Sequence, residues 1–184
     1  SHLPLLLRPH EGPYGTLVGH MARANPQWRD FAGKPEVLVI FQGPQAYVSP
    51  SWYEDHPSVP TWNYAVVHAH GTPEVIDDGA AMHEMLQSLV QTHEAPLPQP
   101  WIFDLPEDYL HNMMQGIVGF TIRISRLEGK YKLSQNRPST DQQRVVVALQ
   151  DQGDASSAGV AALMRQRLNG HAGAAPPAVP HARP

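Results

Sequence analysis

Lys130, Lys132, Ser134, Gln135, Asn136 and Arg137 fall within nine residues, KYKLSQNRP at 130–138. Cations mixed with a hydroxyl and two amides are the donors that a phosphate or similar oxyanion requires. If the stretch is extended, Lys130, Lys132 and Ser134 share one face. If it is not, these groups belong to a solvated loop. Two other stretches could complete an anion site or a ring site. GHMARANPQW (19–28) brings His20, Arg23 and Asn25 to a strand end. Asn25 there can cap a helix with Pro26 in its first turn, and a helix start presents N–H groups to an anion. GPQAYVSPSWY (43–53) carries Tyr47, Ser49, Trp52 and Tyr53. It reads as an ordinary turn with aromatic packing, or as a platform for a flat ligand.

VPTWNYAVVHAHG (59–71) puts Trp62, Tyr64, Val66, His68 and His70 on one strand face. The spacing of His68 and His70 would suit a metal, but no third ligand lies nearby in sequence. With eleven histidines scattered along the chain, packed or hydrogen-bonded imidazoles are the expected reading, and no metal is expected. Asp77 with Asp78, and Glu54 with Asp55, read as turn and helix-cap residues. There is no nucleophile elbow, Walker loop or Gly-x-Gly-x-x-Gly fingerprint, and no catalytic residue is expected.

The elements that must position these groups change character along the chain. Residues 3–7, 14–23, 36–43, 46–49 and 61–76 read as strands. VLVIF within 36–43 is apolar on both faces, which predicts burial on both sides. Gly43-Pro44 is expected to break the chain between 43 and 46, and Gly71 and Pro73 to bend or end the strand over 61–76. Helical spacing follows from Asp78 to His93, and a shorter helix over 106–114 is expected to open at Asp104 and Pro106. Residues 117–127 alternate again, with Val118, Phe120, Ile122 and Ile124 pointing one way; the barrel strand they begin is expected to reach residue 133. Ser139 with Gln142 fits a capping box for a helix over 139–150. A last helix is expected from about Ser157 to Leu168, stopped by Asn169-Gly170. The Ala/Pro/His-rich residues 171–184 are expected to be a disordered tail. This order predicts an α+β domain over 1–170 built on an antiparallel barrel with peripheral helices.

Composition narrows the function classes. The 184 residues are 41% hydrophobic and 16% charged, which suits one globular domain. A formal net charge of −4 argues against a whole-surface grip on nucleic acid. The absence of cysteine excludes disulfides, thiolate-held clusters and thiol catalysis. No apolar run approaches the roughly 20 residues that span a bilayer. A cytoplasmic protein with no membrane partner is expected.

The phrases SHLPLLL, GHMARANPQW, VIFQGPQAYVSPSWY, VPTWNYAVVHAHG and RLEGKYKLSQNR occur in this order. Together, over residues 1 to about 168, they resemble the FMN-binding negative transcriptional regulator family of bacteria, the PaiB-like proteins. The resemblance implies an FMN-binding split β-barrel, a homodimer with FMN in clefts between subunits, and repression of transcription through DNA or a transcription partner. Family members usually begin several tens of residues earlier, so an N-terminal part of the barrel is expected to lie outside this sequence.

Given such a ligand, the chemistry of the side chains suggests Arg23, Ser49, Lys132 and Ser134 for the phosphate. Asn25 and Gln135 would be nearby donors, and Tyr47, Trp52, Trp62 and Asn63 would contact the ring. Three functions follow: a flavin-binding regulator, a flavin-dependent oxidoreductase of the split-barrel class, or a cofactor-free structural or interaction module.

Overall fold

The computed structural model describes residues 1–33, 35–54 and 56–170. Within these residues five strands form one antiparallel sheet: β1 (Leu6–Arg8), β2 (Thr16–Ala22), β3 (Val37–Val48), β4 (Thr61–Ile76) and β5 (Ile117–Lys132). Their order is β1-β2-β5-β4-β3. The sheet is therefore open, ending on β1 and β3, which is compatible with a split barrel. Among the described residues, four α-helices accompany it: α1 (Gly79–Glu94), α2 (Glu107–Gln115), α3 (Ser139–Asp151) and α4 (Ala155–Gly170). Among the described residues, no helix is long and apolar enough to cross a membrane.

Internal contacts divide the chain into two compact units. The first comprises Ser1–Val39 and His68–Glu128. Here β2 pairs with β5 in the register Leu17↔Ile122 and Met21↔Val118. Alternation sends Leu17, Met21, Phe120, Ile122 and Ile124 to one cluster, with Phe31 against Phe120 edge to face at 5.5 Å. On the opposite face Val18 meets Met82 and Met85 of α1. Asp78 starts α1 as the composition suggested: its Oδ1 accepts from the backbone N–H of Ala81 at 2.7 Å. Pro106 precedes α2 without any side-chain capping bond, and Asp104 supplies none.

The second unit comprises Ile40–Val67 and the described residues from Gly129 onward. Its core gathers Ala46, Val48, Tyr53 and Leu133 with Val145, Val146 and Leu149 of α3 and Val160, Ala161 and Met164 of α4. The helices are joined by a tight turn in which Gly153 takes φ +75°, a conformation that costs glycine little. Asp154 then caps α4 through the N–H of Ser157 at 2.9 Å. The Ser157 hydroxyl, and after it that backbone bond, hold the Asp154 carboxyl below its usual pKa.

Several expectations are corrected. Gly43-Pro44 does not break the chain; β3 runs through it. Proline has no N–H to donate, and on the outer side of an end strand none is needed; at Gly43 an added Cβ would lie 3.1 Å from the Ala65 carbonyl, so β3 comes close to β4 there. VLVIF is not buried on both sides. Leu38 is 47% and Ile40 56% exposed, because β3 ends the sheet. β4 continues through Gly71 and Pro73 to Ile76. By contrast, β5 extends past 127 as expected, reaching Lys132, so Lys130 and Lys132 are strand residues. α3 lacks the capping box: Pro138 is its cap, and Gln142 Nε2 donates to the Arg137 carbonyl instead. α4 starts at Ala155 and includes Asn169 and Gly170. The helix expected after Asn25 is a 3-10 helix, Pro26–Gly33, with Asn25 Oδ1 accepting from the N–H of Gln27. The tail at 171–184 lies outside the described residues.

Candidate functional site

Eight of the ten candidate residues lie in the second unit, with Lys132 at the C-terminal end of β5. Lys132 is half-buried. Its ammonium donates to Thr61 Oγ1 and to the Trp62 carbonyl, the latter at 2.9 Å. Beside that carbonyl, the Trp62 ring meets Tyr47 edge to face at 5.9 Å and 74°. The two rings are 54% and 46% exposed, so this pair forms an uncovered aromatic step on β3 and β4.

Past Lys132 the chain turns sharply. Ser134 has φ 59°, and its hydroxyl is buried against Asn63. Asn63 Nδ2 donates to Ser134 Oγ at 2.9 Å, and Ser134 Oγ donates to Asn63 Oδ1 at 3.3 Å. Gln135 closes the turn by accepting from the Leu133 N–H at 2.7 Å and donating to the Tyr131 carbonyl. The Arg137 guanidinium lies 4.2 Å from the centre of the Tyr53 ring and donates to Ser58 Oγ at 3.1 Å.

The segment 49–54 is fastened to α3. Ser49 Oγ accepts from the Ser51 N–H at 3.2 Å and lies 2.7 Å from Ser51 Oγ. Trp52 packs partly into the core, while its carbonyl accepts from Arg144 Nε at 2.9 Å. Asp141, 1% exposed, accepts from the Glu54 N–H at 2.8 Å. A groove of about 560 Å³ runs between this segment and α3, lined by Trp52, Glu54, Arg144 and Val147 among others.

Arg23 and Asn25 belong to the first unit. Arg23 donates to the carbonyls of Gln115 and Ile117, and Asn25 Nδ2 donates to Ser1 Oγ at 2.7 Å. Neighbouring His20 keeps a buried Nδ1 without a hydrogen-bond partner. Burial lowers its pKa from the ordinary 6.5. His70 accepts at Nδ1 from Arg126 at 3.0 Å, and its Nε2 lies 3.5 Å from Glu128. Among the described residues, no group of three histidines and carboxylates is arranged to hold a metal.

Thus Tyr47, Ser49, Trp52, Trp62, Asn63, Lys132, Ser134 and Gln135 share one unit, with Asn63 and Ser134 buried, while Arg23 and Asn25 sit in the other. The residue that sequence reasoning missed is Thr61. Its hydroxyl beside Trp62 was a visible clue, but only the pairing of β4 with β5 sets it against Lys132.

A family model described as "Putative FMN-binding domain" matches residues 1–126. The protein named "Protease synthase and sporulation protein PAI 2" of Bacillus subtilis is 38% identical over 169 residues, covering 91% of this chain and 80% of that protein. An uncharacterized protein of Aspergillus fumigatus is 30% identical over 213 residues, covering 91% of this chain and 82% of that protein. Among solved structures, the flavocytochrome Anf3 of Azotobacter vinelandii is similar with a TM-score of 0.44 and 12% identity, covering 70% of this chain and 56% of that one.

Proposed function

Because the chain belongs to this family of FMN-binding domains, we propose that it is a flavin-binding negative transcriptional regulator of the PaiB-like type. In this reading Lys132 and Thr61 meet the phosphate of FMN, and Tyr47 and Trp62 meet its ring. The observation that carries the reading is a lysine ammonium held on the Thr61 hydroxyl and the Trp62 carbonyl, on the strand that also carries one ring of the exposed aromatic pair. Two of the donors on the Lys132 ammonium are committed to Thr61 and Trp62, and an ammonium has a third. A half-buried phosphate needs such a paired charge and hydroxyl to offset its desolvation. The donor set therefore fits a phosphate monoester carried by a flat ring. When bound, FMN supplies redox chemistry, while the chain supplies binding and orientation. Ser49, Trp52 and Gln135 belong to the same unit.

A homodimer is part of the reading. Uncovered side chains on an end strand and its neighbour, Tyr47 and Trp62, make an aromatic patch that a second copy can bury. Regulation through a partner protein fits α4 better than direct groove reading. The exposed residues at its start are Ala155 and Ala158, whereas base edges are read by Arg, Lys, Asn or Gln. A flavin-dependent oxidoreductase is the second reading, and the same exposed aromatic step would serve it.

The test is an absorbance scan of the purified protein, titration with FMN, and sedimentation in parallel. The expected result is a flavin spectrum, saturable FMN binding and a dimer. A monomer that binds no flavin would sink the reading. Rapid reoxidisable flavin reduction by added NADH or NADPH would favour the oxidoreductase over the regulator.

A further inference from the structure

Among the described residues, Ser134 is the one non-glycine with a positive φ. A left-handed conformation is unfavourable for an L-residue, and serine is not among the residues that adopt it routinely. Such a conformation persists where its surroundings hold it. Here the holder is Asn63, a fully buried amide on β4 whose Nδ2 donates to Ser134 Oγ at 2.9 Å and lies 3.4 Å from Met164 Sδ.

The direction of the chain shows what the kink accomplishes. Lys132 on β5 reaches Thr61 on β4. Had β5 continued antiparallel to β4, the residue two further along would face a position before Thr61. Ser134 instead reaches Asn63, on the other side of Thr61. The turn is closed by the Arg137 N–H donating to the Ser134 carbonyl at 3.0 Å and by both ends of the Gln135 amide. Asn63 and Ser134 thus staple the end of β5 onto β4 immediately after Thr61 and Trp62, the two residues that receive the Lys132 ammonium.

We infer that Asn63 and Ser134 are positioning residues: they hold Lys132 in place for the flavin phosphate and do not themselves touch the flavin. The inference rests on the reading that Lys132 meets the phosphate. A lysine side chain carries substantial rotamer entropy, which binding must otherwise remove. An ammonium already pinned on Thr61 and Trp62 forgoes that cost, so the buried pair acts through preorganisation. Burial keeps both side chains out of reach of a ligand on the exposed aromatic step.

The experiment compares the parent protein with Asn63→Ala, Ser134→Gly and Lys132→Ala. FMN and riboflavin affinities are read from flavin fluorescence. The rate of acylation at Lys132 by an amine-reactive ester is read by mass spectrometry without flavin. Ser134→Gly removes the hydroxyl while allowing φ 59° at no steric cost, so it decides the matter if Asn63→Ala does not fold. The expected result is an FMN affinity lowered about tenfold in both pair variants, riboflavin affinity changed by less than about twofold, and faster acylation of Lys132. Unchanged acylation overturns the inference whatever the flavin does. So does an unchanged FMN-to-riboflavin ratio in the pair variants when Lys132→Ala has lost it. Failure of the underlying reading looks different: Lys132→Ala then leaves that ratio as in the parent while acylation still rises in the pair variants.

Discussion

Arg23 caps the C-terminal end of α2: its Nε donates to the Gln115 carbonyl at 2.7 Å and its NH2 group to the Ile117 carbonyl at 2.8 Å. The backbone N–H of Arg23 adds a bond to the Gly116 carbonyl at 2.9 Å. Helix C-termini leave carbonyls without intrahelical partners and carry the negative end of the helix dipole. A forked guanidinium answers both needs at once. The arginine that looks most ready for a phosphate in sequence thus has a structural task inside the first unit.

Arg23→Met is expected to lower stability by about 1.5–3 kcal/mol, the range for hydrogen bonds to charged groups. Arg23→Lys should recover only part of this, because an ammonium lacks the planar fork. Urea unfolding midpoints of the three proteins measure it. Equal midpoints for parent and Arg23→Met would remove the capping role.

Lys132→Ala is expected to weaken FMN by about 1.5–3 kcal/mol. Riboflavin, which lacks the phosphate, should bind parent and variant alike. Titration of both flavins against both proteins gives the answer, and equal FMN affinities would return KYKLSQNRP to the status of a surface turn.

Acid should destabilise the fold through His20. Burial lowers its native pKa below 6.5, so the unfolded chain takes up this proton first as pH falls. Unfolding is then favoured progressively below pH 6.5 and gains nothing more once the native His20 is itself protonated. Stability measured against pH in the parent and in His20→Gln should diverge on the acid side of 6.5. Parallel curves there would exclude His20 as the source.

Gly71→Ala should be severely destabilising. A Cβ at this position would stand 2.3 Å from the Arg123 carbonyl oxygen and 2.8 Å from Ile122 Cγ2. Backbone cannot yield as a side chain can, so the clash forces β4 away from β5. A loss at or above the usual 1–3 kcal/mol (roughly) of overpacking is expected in thermal or urea unfolding. A near-neutral variant would mean that the strands separate easily at this point.

Much of the fold could be read in the sequence, for reasons that differ by element. β5 announced itself because Val118, Phe120, Ile122 and Ile124 alternate and all four are buried. α1 did so because its apolar spacing and Asp78 cap agree. β3 was misread twice. A continuous apolar run looks the same in a central strand and in an end strand with one uncovered face, and only the strand order separates them. Gly43-Pro44 carried the local signal of a break, yet the outer position of β3 makes a proline harmless. Of the ten candidate side chains, eight share the second unit and two lie in the first. Burial was invisible: nothing in the letters of Asn63 or Ser134 says that each is the other's partner. Long-range pairing decides which donors remain available to a ligand.

The bond from Glu54 N–H to Asp141 has a bearing on how the second unit breathes. Backbone amides in connecting segments ordinarily trade their protons with solvent quickly, because water is their acceptor. This one points at a carboxylate that is itself buried. To exchange, the segment must lift from α3 and release the Arg144 bond to the Trp52 carbonyl as well. The Glu54 amide should therefore show slow deuterium uptake, resembling a helix amide more than its neighbours in sequence. Asp141→Ala should convert it to fast uptake without speeding amides deep in the core around Leu149. Exchange-resolved mass spectrometry or NMR would then time the opening of a connection that the sequence alone would place among the freest parts of the chain.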